Sequence, residues 1–250
     1  MSRMSQLTAE ARTFAERRLR HLPAARRLRF ELALAALERF ANGRPLHVLD
    51  AGCGEGLFAE TVARRHSNWT VVGADVDEEL LERGRASAEK EGVANVDFLQ
   101  ADVTGDLGQE AFDAVVALEC LEEIEQDDAA IARMAQALRA GGLLLVHVPE
   151  SSWTPVLPRS ERTWRNEVRH GYTVDELREK LERAGIDVFS VALTSRGMVR
   201  IAQELRDRIK NSSLKVRALA YPPLAAAVRL ERWGITWGSP RALFAEGLRR

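Results

Sequence analysis

The chain is poor in cysteine. Cys53 and Cys120 are the only two in 250 residues, and no CxxC spacing joins them. A disulfide-stapled fold and a thiolate zinc site are therefore excluded as organising principles, and a reducing, cytoplasmic setting is the expectation. Long apolar runs are also missing. The longest candidate, "ALAYPPLAAAV" at 218–228, holds two prolines and falls short of the roughly 20 residues that a membrane span requires. The first 22 residues lack the continuous apolar stretch of a secretion signal, and Glu10 and Glu16 do not suit an organelle transit peptide. No internal repeat and no low-complexity tract is present. Nor is there an overall basic excess: the net charge is -1, which gives no electrostatic footprint for nucleic acid.

What is present is an uneven distribution of charge. Residues 1–45 carry +6, residues 191–250 carry +8, and the stretch between them carries -15. The flanks are either arginine-rich helices with a solvated face or surfaces that draw in an anionic small molecule or touch a membrane. With 46% hydrophobic residues the chain can bury a substantial core, so it reads as one large globular domain with an appendage.

Short apolar runs alternate with helical patterns from residue 46 onward. "LHVLDA", "TVVGAD", "VDFLQAD", "FDAVVAL" and "GLLLVHVP" read as strands. "LFAETVARRH", "EELLERGRASAEKEG" and "DDAAIARMAQALRA" read as the helices between them. This rhythm predicts an α/β fold: a mostly parallel, Rossmann-like sheet with helices on both faces. "TVDELREKLERAG" predicts a helix capped by Thr173 and ended by Gly185, "IDVFSVAL" a further strand and "RALFAEGL" a last one. Before residue 45, Leu28, Leu32, Ala35 and Phe40 recur at helical spacing, with a break at Pro23. Residues 150–172 read as a long loop and 197–235 as mostly helical. The expected division is an N-terminal helical segment over 1–45, a core over 46–195, and a helical lid or insertion with a final strand over 196–250.

The stretch "VLDAGCGEG" places Gly52, Gly54 and Gly56 between the first strand and the first helix of that rhythm. Such a turn brings a ligand against backbone at a helix N-terminus, at the carboxyl ends of the strands. A dinucleotide fingerprint fits poorly. Leu57 stands where G-x-G-x-x-G counted from Gly52 needs its third glycine, and Ala59 where the count from Gly54 needs it. Asp50 next to a pyrophosphate would also be unfavourable, whereas it suits a ligand with an ammonium or sulfonium group.

These residues resemble the first motif of class I S-adenosylmethionine-dependent methyltransferases of the small-molecule type, and the resemblance continues in order. "VVGADVDEELLERGR" is similar to that family's second strand and helix, "VDFLQADV" to the third strand, "FDAVVALECLEEI" to the fourth, and "ALRAGGLLLVHVPE" to the fifth with its preceding turn. The match is clear over 46–150 and weaker to about 195. It implies a seven-stranded sheet and S-adenosyl-L-methionine as cofactor. Carried over residue by residue, it implies that Asp50, Gly52, Cys53, Gly54 and Gly56 form the cofactor loop. Asp75, followed by Val76, would bond the ribose hydroxyls. Asp102 would sit near the adenine amine and Val103 beside the ring, while Glu119 and Cys120 would line the cofactor. The two cysteines read as small packing residues rather than nucleophiles.

Many relatives carry a histidine after the fourth strand where this chain reads "LEEI", placing Glu123 at that position. Glu123, Glu150 at the end of the fifth strand, and His170 in "EVRHGYT" are the candidate bases or acceptor contacts. His147, inside its strand, reads as a core histidine. His147, Glu150, Glu167 and His170 match no known metal spacing, so no metal is expected. No Asn-Pro-Pro-Tyr-like motif follows the fourth strand, and "YPP" at 221–223 is misplaced for one. Exclusion thus favours a small-molecule acceptor; the expectation beyond that is methylation at oxygen of an acceptor that is anionic or lipid-like. An apolar wall at 197–235, with Met198, Leu205, Tyr221 and Trp233, would suit a lipid, polyketide or glycan. A nicotinamide oxidoreductase and a non-catalytic scaffold are the alternatives, and the oligomeric state is open.

Overall fold

The computed structural model describes residues 24–152, 168–196, 201, 204–205 and 240–250. The Pro23 break, most of the 150–172 loop and nearly all of the 197–235 segment lie outside these residues. Thirteen elements follow in order: α1 (Ala24–Ala41), β1 (His47–Ala51), α2 (Leu57–Arg65), β2 (Thr70–Asp75), α3 (Glu78–Lys90), β3 (Val96–Gln100), β4 (Phe112–Leu118), a 3-10 turn (Leu121–Glu123), α4 (Asp127–Ala137), β5 (Leu138–Pro149), α5 (Val174–Arg183), β6 (Ile186–Thr194) and β7 (Ala242–Arg249).

The strands form one seven-stranded sheet in the order β3-β2-β1-β4-β5-β7-β6. The first five are parallel, and β7 runs antiparallel between β5 and β6. The order reverses at β1 and β4, so their carboxyl ends flank the crevice in which ligands of open α/β sheets bind.

Alternation along each strand divides the core in two. Val48, Ala114, Val116, Leu143 and Leu145 join α1 and α2 on one face. Leu49, Val115, Ala117, Leu144 and Val146 join α4 and α5 on the other. Strands covered on both sides in this way must be apolar at every position, which is why they read as unbroken runs. On α1 the buried stripe runs through Phe30, Ala33, Leu34, Leu37 and Ala41, while Ala35 is exposed. The stripe expected from Ala35 and Phe40 is thus rotated by about a residue, because a broad sheet face buries the small alanines as well. Phe30 meets Phe58 of α2 edge-on at 5.0 Å, which fixes α1 beside the glycine turn.

One boundary differs from the sequence expectation. The helix expected over 127–140 stops at Ala137, and β5 starts at Leu138, four residues early. Leu138 pairs with Phe112, and the register shifts before Ala114 pairs with Leu143. Gly141, with φ of 72°, sits within the shifted stretch. The Thr173 hydroxyl caps α5 by accepting from the Glu176 amide at 3.1 Å, and Gly185 takes φ of 85° after its last turn. Among the described residues no helix is long and apolar enough to cross a membrane, and no cluster of three potential metal ligands occurs.

Candidate functional site

The turn joining β1 to α2 is held by backbone bonds to β2: the Gly52 and Cys53 amides donate to the Ala74 carbonyl at 2.8 and 3.0 Å. All three glycines are left-handed, with φ of 70°, 58° and 65° at Gly52, Gly54 and Gly56. Their surroundings differ. A side chain at Gly52 would lie 2.5 Å from Cβ of Cys120, and one at Gly56 would collide with the Phe98 ring. The same ring packs closely under Gly73 and Gly84. Only Gly54 has open space where its side chain would be. Two glycines therefore admit neighbouring protein, and one is bare toward the outside.

The acids around the turn are oriented by backbone amides. Asp75 accepts from the Gly54 amide at 2.7 Å through one oxygen and from the Asp77 amide at 3.0 Å through the other. Asp50 is buried beneath the turn and accepts from the Ala59 amide, in the first turn of α2, at 3.2 Å. Burial pushes the Asp50 carboxyl up to about 7, the Ala59 bond opposing and the nearby Asp75 adding to the rise. Burial likewise raises the thiols of Cys53 and Cys120, so neither is a thiolate near neutrality. Cys120 donates to the Ala51 carbonyl at 3.3 Å.

Above Gly54 lies a cavity of about 700 Å³. Its floor is Asp50, Gly52, Cys53, Gly54 and Glu55; Phe58, Leu80 and Leu118 supply apolar wall. Arg26, Arg29 and Phe30 of α1 close one side, and Glu123 stands on the margin. Glu123 is raised by burial and by the carboxylates of Asp75 and Glu119. A room of this size with a bare glycine, a buried carboxylate and guanidinium groups suits a ligand that is partly apolar and carries both charges.

The remaining candidates are spread more widely. Val76 is 61% exposed directly after Asp75. Asp102 is exposed and accepts from the Thr104 amide and hydroxyl, which lower its carboxyl below the ordinary range. Val103 is buried in the core. Glu119 takes a left-handed φ of 59° immediately after β4 and bonds Arg29 at 3.2 Å and His147 at 2.8 Å. Burial pushes its carboxyl up, but Arg29 and His147 outweigh that and hold it at about 2. Glu150 is buried at the end of β5 and accepts from the Ser152 hydroxyl. His170 is exposed, and neither it nor Glu150 borders the cavity. The backbone holds the His170 segment against the 3-10 turn, the Val168 amide donating to the Glu122 carbonyl at 2.9 Å.

Residues 48–142 match the model of the methyltransferase domain family. Residues 48–142 thus read as a methyltransferase domain. Over 156 residues the protein is 33% identical to a ubiquinone biosynthesis O-methyltransferase of Dinoroseobacter shibae, a match covering 57% of this chain and 60% of that one. The chain spans between 40% and 60% of the length of this and the next curated relative. Among solved structures, the [4+2]-cyclase SpnF superposes with a TM-score of 0.62 at 23% identity, covering 87% of this chain and 81% of that one. The 1,6-didemethyltoxoflavin-N1-methyltransferase of Burkholderia thailandensis, solved with S-adenosylhomocysteine, gives 0.55 at 21%, covering 88% and 77%. At these identities the two structures support the fold of the methyltransferase domain alone.

Sequence reasoning did not single out Arg29, Phe30, Phe98 or Leu80. Arg29 is one of 10 arginines in the first 45 residues, and nothing in its local spacing marks it. Phe98 was read only as part of a strand, although its ring explains why position 56 excludes a side chain.

Proposed function

We propose that the protein binds S-adenosyl-L-methionine over the β1–α2 turn and transfers its methyl group to an oxygen of a small-molecule acceptor. The observation that carries this reading is the bare face of Gly54, opening into the cavity, with its amide bonded to Asp75 and Asp50 buried below. A ligand there meets backbone at Gly54 and a buried acid, the pairing that an ammonium-bearing molecule matches. The curated O-methyltransferase relative supports the same reaction class.

The bound cofactor supplies a methyl carbon already activated by a sulfonium, so the protein's task is placement. Asp75 would accept from the ribose hydroxyls with lone pairs left over from the Gly54 and Asp77 amides. Val76 would pack on the adenine, Asp102 would meet its amine, and Val103 would support that end from the core. Cys53, Cys120 and the three glycines would shape the wall. Glu123, on the margin and raised above its ordinary value, would take the proton of an acceptor hydroxyl. Glu150 and His170 would contact the acceptor from the end of β5 and the segment before α5. The acceptor reading is a lipid, glycan or natural product, drawn in by the basic flanks when anionic. Turnover of an anionic acceptor should then fall as salt rises.

The test is calorimetric titration of the protein and of Asp75→Ala with S-adenosylmethionine, S-adenosylhomocysteine and NAD. Micromolar binding of both sulfur ligands, weakened about 100-fold in the variant and absent for NAD, supports the reading. Silence toward both sulfur ligands from folded protein overturns it.

A further inference from the structure

We propose that the amino edge of the sheet carries a separate ligand site, a recess between the ends of α1 and α2 that takes a small oxyanion such as phosphate. The inference is independent of the cofactor reading, because the recess lies at the opposite ends of the strands from the glycine turn.

The recess has a volume of about 450 Å³, and Glu38, Gly43, Arg44, Arg65, His66 and Asn68 line it. Helices α1 and α2 end beside it, and β1 and β2 begin beside it at His47 and Thr70. Arginines gather at helix C-termini for a structural reason, since the last carbonyls attract cations. Here other groups already meet that demand. Nδ2 of Asn95 lies 2.9, 3.1 and 2.9 Å from the carbonyls of Ala63, His66 and Trp69 at the end of α2. At the end of α1 the Asn42 and Arg44 amides donate to the Glu38 and Ala41 carbonyls at 3.2 and 2.9 Å.

The guanidinium groups are thus left for another use. Glu38 accepts from Nε of Arg65 at 2.6 Å, and the same oxygen faces Nε2 of His66 at 3.1 Å. The His66 ring is in turn stacked on Trp69 at 3.9 Å, so this side of the recess is held in place. Both terminal amino groups of Arg65 have no partner among the described residues, and its side chain is 20% exposed. Arg44 is exposed, stands over the Phe40 ring at 5.8 Å, and makes one long contact, 3.5 Å, with the Phe40 carbonyl. The exposed Asn68 adds an amide donor, and Gly43 leaves bare backbone, with open space where a side chain would stand.

Two guanidinium groups therefore face one acid, and that acid is committed to Arg65 and His66 through a single oxygen. Planar N–H forks of this kind match the oxygens of phosphate, and a concave site with convergent donors is what a small anion requires. The excess of donors over acceptors in the recess selects against a cation.

The experiment titrates inorganic phosphate into the full chain at constant ionic strength and follows the backbone amide signals of Gly43, Asn68 and Trp69 by NMR. The parent should show a saturable shift with a millimolar dissociation constant, weakened about tenfold in Arg44→Gln and in Arg65→Gln. Arg39→Gln is the control: Arg39 is also in the last turn of α1 and is 63% exposed, but it pairs with Glu246 and does not line the recess. Its binding should match the parent's. Equal weakening in all three variants would mean general charge attraction and overturns the inference. Shifts that never saturate in the parent overturn it too. Arg44 forms no ion pair among the described residues, so Arg44→Gln alone decides the matter if Arg65→Gln, which releases Glu38, fails to fold.

Discussion

The two walls of the cavity are made in opposite ways. The floor is local: Asp50 to Gly56 is a single run, and its backbone amides are held by Ala74 and Asp75 of the adjacent strand. The opposite wall is assembled from far apart, Arg29 meeting Glu119 and Glu119 meeting His147. The floor gains order from backbone bonds whose geometry the glycines permit. The far wall gains it from charged side chains that must find each other after the sheet has closed. A local wall tolerates little change in backbone shape, and a long-range wall tolerates little change in side-chain identity.

The sharpest way to break this contrast lies within the floor. Gly56→Ala should be the most damaging change to stability. Its methyl would meet the Phe98 ring on a left-handed backbone, at a cost of about 3 kcal/mol. Gly54→Ala has the same kind of backbone but open space, so its cost should stay near 1 kcal/mol. Ligand affinity should fall severely at Gly54, whose methyl would occupy the cavity. Urea unfolding and calorimetry on both variants check the pair, and equal stability losses would refute the division of roles.

A second, intermediate effect concerns Asp50. Its folded-state value of about 7 lies above the roughly 3.9 of an unfolded aspartate, so the folded chain holds the proton more tightly. Its contribution to stability is therefore present in full below pH 4 and is lost as pH rises through 7. Asp50→Asn keeps an oxygen for the Ala59 amide and removes that loss. The variant should be more stable than the parent at pH 8, with the difference closing toward pH 4, as urea unfolding at both values would show. Binding of a cationic ligand should weaken in the same variant.

The smallest effect tests a purely local element far from either wall. Thr173→Ala removes the cap on the Glu176 amide and should cost about 1 kcal/mol without altering ligand affinity. A change in affinity would mean that the segment around His170 reaches the cavity after all.

How much was legible follows the same division. The strand and helix order, the glycine turn and the Thr173 cap could be read because each depends on residues a few positions apart. The α1 face was misplaced by about a residue because Ala33 and Ala36 are buried by a sheet that periodicity alone does not describe. The early start of β5 depends on Leu138 finding Phe112, a pairing that no window around either residue contains. Glu123 borders the cavity, whereas Glu150 and His170 lie off its border, a distribution that no local window of the sequence describes.

The amino-acid sequence by itself determined an α/β chain with a glycine turn after its first strand and acids at the ends of the first two. Those properties come from backbone freedom and alternating burial, both short-range. Only the tertiary structure decided that Gly52 and Gly56 face protein and Gly54 faces open space. It alone brought Arg29 to Glu119 across 90 residues of chain. Charge has a long reach and no sequence period, so the partner of a buried guanidinium is settled by how the layers stack.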